Sequence, residues 1–263
     1  MKKPAFRKHD FLFYIVLYLC ILINLGYFSV VQANEIQAAV AANFYNAFRE
    51  IVGQFETKTG HKVLIISGST GKLYAQIVNG APFELFLAAD GRRPGLLEKE
   101  SKAVPGTRFT YALGKITLWS PNPAAISGNG ESILRKKNFA HIAMTNPITA
   151  PYGQAALQTL KKIDLWEEIQ PLVVQGENVG QTFQFVSSQN AELGFVALSQ
   201  VLDPKNHKKG SRWDIPDELY DPIEQDVIIL EKGKNNPGAR TLWNFLRDES
   251  AKRIINKYGY GLP

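Results

Sequence analysis

The sequence is poor in reactive side chains. Its 263 residues hold a single cysteine, Cys20, and four histidines. One cysteine closes no disulfide, and Cys20 lies inside an N-terminal apolar run, so the folded part has neither disulfide nor thiol chemistry. Leu19 before it is also too large for a lipid-attachment site. His61 and His141 fall on separate expected strands, and no histidine or carboxylate cluster has metal-ligand or catalytic spacing. Internal repeats and low-complexity segments are missing, which excludes solenoid and disordered classes. Positive charge is scarce where it would matter. The formal charge of +6 falls to +3 without residues 1–33, which carry Lys2, Lys3, Arg7 and Lys8. Nucleic acid asks for a concentrated basic stripe, and there is none.

What is present is globular: 45% hydrophobic and 21% charged residues, enough for one large or two ordinary domains. The four N-terminal basic residues precede an apolar run from Phe11 to Val31, and Val31-Gln32-Ala33 places small residues where a signal peptidase reads. This predicts an export signal over 1–33, cleaved after Ala33, and a periplasmic location for the rest. The run is longer than the ~15 residues usual for such a signal, so an uncleaved membrane anchor is the alternative.

Beyond residue 33 the pattern alternates. Glu35 to Ala42, His61 to Ile66 and Leu85 to Ala89 read as buried strands, separated by helical spacing over Phe44 to Phe55 and Leu73 to Val78, with Pro94 to Lys102 as a further helix. Such alternation predicts a parallel sheet wrapped by helices. Thr107 to Ser120 is one long extended stretch that crosses to a second domain, and Pro121 to Gly130 is a polar loop. The alternation then resumes: strands at 141–144, 172–174 and 193–197, helices at 153–162 and 179–188. Residues 203–222 read as irregular, Gln225 to Leu230 as a return strand, and 239–247 and 250–258 as closing helices. The expected organisation is α/β, two Rossmann-like domains joined by hinge strands: 34–112 plus 221–263, and 113–220.

The most informative stretch runs from Ile65 to Gly80. A strand ends in the small, hydroxyl-rich turn Ser67-Gly68-Ser69-Thr70-Gly71 and reopens as a helix. Unpaired N–H groups at a helix start, with hydroxyls beside them, make a place for an anion. A nucleotide loop is excluded, because Ile66 stands where its first glycine belongs and Leu73 where its Ser/Thr belongs. Gly68-Ser69-Thr70-Gly71 also lacks the spacing of a nucleophile elbow. Three more turns share the arrangement: Ala42-Asn43-Phe44, with Asn43 a candidate helix cap, Pro151-Tyr152-Gly153 and Asn178-Val179-Gly180. In parallel sheets these turns lie at the ligand-binding edge, two from each domain. Lys72 is the only cation built into them. Ser69 has no base identifiable in the sequence, which leaves an exported hydrolase on Ser69 or Thr70 as the weaker reading.

Taken in order, Ala41-Ala42-Asn43-Phe44, Gly68-Ser69-Thr70-Gly71 with Tyr74-Ala75-Gln76-Ile77, Asn79-Gly80-Ala81-Pro82, Leu87-Ala88-Ala89-Asp90, Asn146-Pro147 with Ala150-Pro151-Tyr152-Gly153, Asn178-Val179-Gly180 and Leu193-Gly194-Phe195-Val196 span nearly the whole chain after residue 33. This ordered set resembles the molybdate-binding proteins of bacterial ABC transporters, which are type II periplasmic binding proteins. The resemblance implies a non-enzymatic, monomeric receptor. It would close on molybdate or tungstate, held through its oxygens with no direct protein–metal ligand and no cofactor, and pass it to a membrane permease. By similarity the donors are Asn43, the Thr70 hydroxyl, the N–H groups at Tyr152 and Val179, and Ser69, with Phe44 beside them. Many relatives place a tyrosine donor where this chain has Ala197, and a serine where it has Asn43.

The chemistry is consistent with that implication. A fully ionised dianion offers only acceptors, so a site of neutral donors suits molybdate, tungstate or, as the alternative, sulfate. Phosphate keeps a proton and wants a carboxylate, for which Asp90 is the candidate. About six charge-assisted hydrogen bonds at ~1.5–3 kcal/mol each are enough for tight binding without a buried cation.

Overall fold

Hydrogen bonding divides the described residues, 34–263 of a computed structural model, between two five-stranded sheets. The export signal or anchor expected over 1–33 lies outside the described residues. The first lobe is built from β1 (Glu35–Ala41), α1 (Tyr45–Thr59), β2 (Lys62–Gly68), α2 (Thr70–Val78), β3 (Leu85–Leu87), α3 (Arg92–Lys99) and β4 (Phe109–Gly114). The second continues with β5 (Ile116–Ser120), α4 (Gly130–Lys136), β6 (Ile142–Thr145), α5 (Pro151–Lys162), α6 (Trp166–Ile169), β7 (Val173–Gly176), α7 (Val179–Ser187), β8 (Leu193–Ala197), α8 (Leu198–Val201) and β9 (Ser211–Asp214). The chain then returns to the first sheet as β10 (Ile223–Ile229) and closes with α9 (Pro237–Phe245) and α10 (Glu249–Lys257).

Strand β1 carries Ile36, Ala38, Ala39 and Val40 fully buried on both faces, because it lies between β2 and β3 with helices on either side. Helix α1 turns Ala47, Phe48, Ile51, Val52 and Phe55 onto the sheet, a spacing that lines one face of a 3.6-residue helix. Burying a side chain such as Phe48 contributes roughly 1.5–3 kcal/mol. The helix stops at Gly60, whose φ of 75° is left-handed and whose N–H caps the Glu56 carbonyl at 2.9 Å.

The sheets are mixed rather than parallel. β1 runs parallel to β2 and β3, and β6 to β7 and β8, as the alternation predicts. Each sheet also holds one reversed strand, β10 in the first and β5 in the second. Both arrive from the other lobe rather than through a helical crossover, so the rule that makes β-α-β connections parallel does not act on them. The long extended stretch is two strands, β4 and β5, with the crossing at Lys115, where the sequence placed the break after Ala112.

Four elements escaped the sequence reading: the one-turn helices α6 and α8, helix α4 and strand β9. Helix α4, capped by the Asn129 side chain on the Glu131 N–H at 3.0 Å, lies just past a stretch read as loop. Edge strand β9 lies inside residues read as irregular, since Ser-Arg-Trp-Asp has one apolar residue and too little alternation to register. Among the described residues, no helix is long and apolar enough to cross a membrane.

Candidate functional site

The carboxyl ends of β1, β2, β6 and β7 face one another, and the turns leaving them enclose a small void lined by Asn43, Ser69, Thr70, Tyr152, Asn178 and Val179 with alanines between them. Five of the six residues singled out in the sequence thus meet at one place. The cavity measures about 10 Å³, roughly the space one water molecule needs and far below the roughly 300–1,000 Å³ of sites for drug-sized ligands. A drug-sized guest does not fit.

The first lobe presents hydroxyls. Thr70 Oγ1 is buried and accepts the Ala89 N–H at 3.1 Å, which leaves its own hydrogen to donate. Ser69 occupies the N-cap position of α2, yet its side chain makes no cap bond, and its buried Oγ has no hydrogen-bond partner. A serine at that position ordinarily satisfies a first-turn N–H. Here the hydroxyl stays available to a guest, while the first-turn Gly71 N–H is taken by the Thr149 carbonyl. The second lobe presents backbone. Helix α5 starts with Pro151 at its first position, and Tyr152 follows. Helix α7 starts with Val179 behind Asn178, whose Oδ1 accepts the Gln181 N–H at 3.1 Å. Helical first-turn N–H groups have no intrahelical acceptor, and the helix dipole adds partial positive charge there.

Asn43 does not act as a helix cap: Ala41 precedes the short 3-10 turn Ala42–Phe44, which runs into α1. Its side-chain amide donates to Gln225 Oε1 at 2.7 Å and Tyr260 Oη at 3.1 Å, so the donor left for the void is its main-chain N–H. Phe44 is not in the lining. Its ring packs in the core against Tyr111 and Tyr260, with centroids 4.6 and 5.4 Å away. Ala197, where a tyrosine donor is absent, gives its N–H to Gln200 Oε1 at 3.1 Å, while Gln200 Nε2 donates to the Val179 carbonyl at 3.0 Å. Gln200 therefore braces the start of α7. The sequence carried no signal for Gln200. For Gln225 the only signal was an uncharged polar residue within an otherwise buried strand.

Electrostatically the lining is neutral. Among the described residues no carboxylate or cation lines the void. Asp90 is held outside it, accepting the Arg93 N–H at 2.8 Å and pairing with the Arg93 guanidinium. Burial pushes the phenols of Tyr152, Tyr111 and Tyr260 well up from their ordinary value, so they remain neutral donors around the site. Charges gather at the rim, where Lys72 of the first lobe pairs with Glu177 of the second. Nearby, the Gly71 N–H donates across the lobes to the Thr149 carbonyl at 2.8 Å. A Cβ on residue 71 would lie 2.8 Å from that oxygen, so this contact requires glycine. His61 accepts the Asn34 N–H at 3.1 Å and packs on Phe55, away from the site. No group of residues that could hold a metal ion occurs among the described residues.

The family described as bacterial extracellular solute-binding protein matches residues 36–261. The chain belongs to that family. A molybdate-binding protein of Azotobacter vinelandii is 51% identical over 88% of this chain and 91% of its own length. One from Rhodobacter capsulatus is 43% identical over 87% and 88%. The solved structure of an Azotobacter vinelandii periplasmic molybdate-binding protein superposes with a TM-score of 0.83 at 39% identity, covering 87% of this chain and 99% of that one. The fold is thus the two-lobed α/β fold of periplasmic binding proteins. The protein is a solute-binding protein and not an enzyme, which removes the hydrolase reading of Ser69 and Thr70.

Proposed function

We propose that the protein captures molybdate, or its congener tungstate, between its lobes on the periplasmic side of the cytoplasmic membrane and delivers it to the permease of an ABC transporter. The observation that carries this reading is the donor set. Hydroxyls at Ser69 and Thr70 and helix-start N–H groups at Tyr152 and Val179 surround a void with no carboxylate, and only an anion without a proton is fully served by such a lining. The names of relatives at 43–51% identity support the same ligand. The oxyanion is the cargo, held through its oxygens. One chain supplies both halves of the donor set, so a monomer suffices and no cofactor is called for.

Calorimetry of the protein with molybdate, tungstate, sulfate and phosphate tests the reading. One-to-one binding of the group-VI oxyanions, weaker binding of sulfate and none of phosphate are expected. No heat with molybdate or tungstate would overturn it. N-terminal sequencing of the exported protein separates cleavage after Ala33 from a retained anchor.

A further inference from the structure

One polar side chain touches the site from behind. Gln225 is fully buried on β10, the strand that returns from the second lobe, opposite Ala112 of β4. The ladder slips register between Gln225 and Asp226, an irregularity of the kind that re-aims a side chain. Its carbonyl oxygen accepts from Asn43 Nδ2 at 2.7 Å and from Tyr111 Oη at 3.1 Å, and its amide nitrogen donates to Tyr152 Oη at 3.3 Å.

Asn43 and Tyr152 belong to ligand-facing turns of opposite lobes. The Asn43 turn is fixed a second time through its carbonyl, which accepts Tyr260 Oη at 2.7 Å and Ser199 Oγ at 3.2 Å. Gly114 provides an independent sign that this arrangement is built in. It is the last residue of β4 before the crossing, and a Cβ there would lie 2.4 Å from Tyr152 Oη and 2.6 Å from Gln225 Nε2. Any side chain at 114 would displace the amide or the phenol.

We propose that Gln225 is a positioning residue of the oxyanion site: from the crossing strand, one neutral amide sets the spacing between the Asn43 turn and the Tyr152 turn, and with it the size of tetrahedron the donors accept. The inference rests on the oxyanion reading above. A satisfied buried network holds its members to one geometry, and removing the shared partner leaves the others unpaired and the two turns free to shift against each other.

The test compares molybdate and sulfate, tetrahedral dianions of different size, by calorimetry on wild type, Gln225→Leu and Tyr152→Phe, with far-UV circular dichroism checking the fold. Gln225→Leu removes all three bonds. Tyr152→Phe removes one phenol oxygen, keeps the Tyr152 N–H, and carries the test if the leucine variant does not fold. Molybdate affinity should fall about tenfold or more in Gln225→Leu and several-fold in Tyr152→Phe, and the molybdate-to-sulfate ratio should narrow in both. The double variant should be little weaker than Gln225→Leu, because both changes cut the same bond. A merely structural role lowers both affinities together, so an unchanged ratio overturns the proposal. A wild type that binds neither anion overturns the oxyanion reading itself.

Discussion

The lining of the void and its rim, only a few residues apart, follow opposite rules. Inside, every group that could meet a guest is neutral and donating, and the buried Ser69 hydroxyl has no protein partner. At the rim, Lys72 meets Glu177 and Arg93 meets Asp90, with the charges mutually paired. The difference separates two tasks. Neutral, preorganised donors select an anion by its lack of protons, and they avoid the desolvation penalty of a buried charge once the guest leaves. The half-exposed Lys72–Glu177 pair joins the lobes only weakly, because water screens it.

The largest break in this contrast comes from moving a rim property inside. Thr70→Asp places a carboxylate against the bound anion and should weaken molybdate binding by about 100-fold or more in calorimetry, since like charges at close range in a dry site repel by several kcal/mol. Deleting one hydroxyl is milder. Thr70→Ala and Ser69→Ala should each weaken binding about tenfold or somewhat more, the value of one hydrogen bond to a charged group. The two differ without ligand. Ser69→Ala should leave the melting temperature unchanged or raised, because it removes a buried oxygen that has no partner, whereas Thr70→Ala should lower it by unpairing the Ala89 N–H.

At the rim, Lys72 and Glu177 side chains are 55% and 53% exposed, so Lys72→Met should change affinity less than about threefold at physiological salt. Stopped-flow association should slow mainly at low salt, where a cation beside the cleft attracts an anion most effectively.

The smallest effect concerns pH. Burial holds the Tyr111, Tyr152 and Tyr260 phenols protonated, so no group of the lining titrates between about pH 6 and pH 9 and affinity should be flat there. Stability behaves differently above that range. Tyr220 is pushed up to about 12, first by burial and then by Asp217. A phenol whose folded value exceeds its unfolded value keeps its proton in the folded state while the unfolded chain loses it. Its contribution is complete below about pH 10 and declines as pH rises toward about 12, so urea midpoints should fall over that window.

Most of the architecture was legible because local signals and global fold agree. Helix α1 and strand β1 are written in apolar spacing, and the four turns in small residues and hydroxyls between strand and helix. The reversed β5 and β10 were not legible, since direction leaves no periodic trace in an isolated strand. Nor were α4 and β9, which are too short for a pattern to form. At the site, the turns that hold Thr70, Tyr152 and Val179 could be read from their place between strand and helix, while the choice of these residues as oxyanion donors came from the family resemblance. The side chain of Asn43 could not, because its partners lie 182 and 217 residues away.

By itself the sequence determined most of the strand and helix order, the four donor-rich turns and the scarcity of charge within them, Lys72 aside, all properties of neighbouring residues. Only the tertiary structure decided that Asn43 turns its amide to Gln225 and offers its backbone to the void, and that Phe44 belongs to the core. The physical reason is that a polar side chain goes to whichever partner lets it stay hydrogen-bonded after burial, and those partners come within reach only when two sheets and the strands between them pack together.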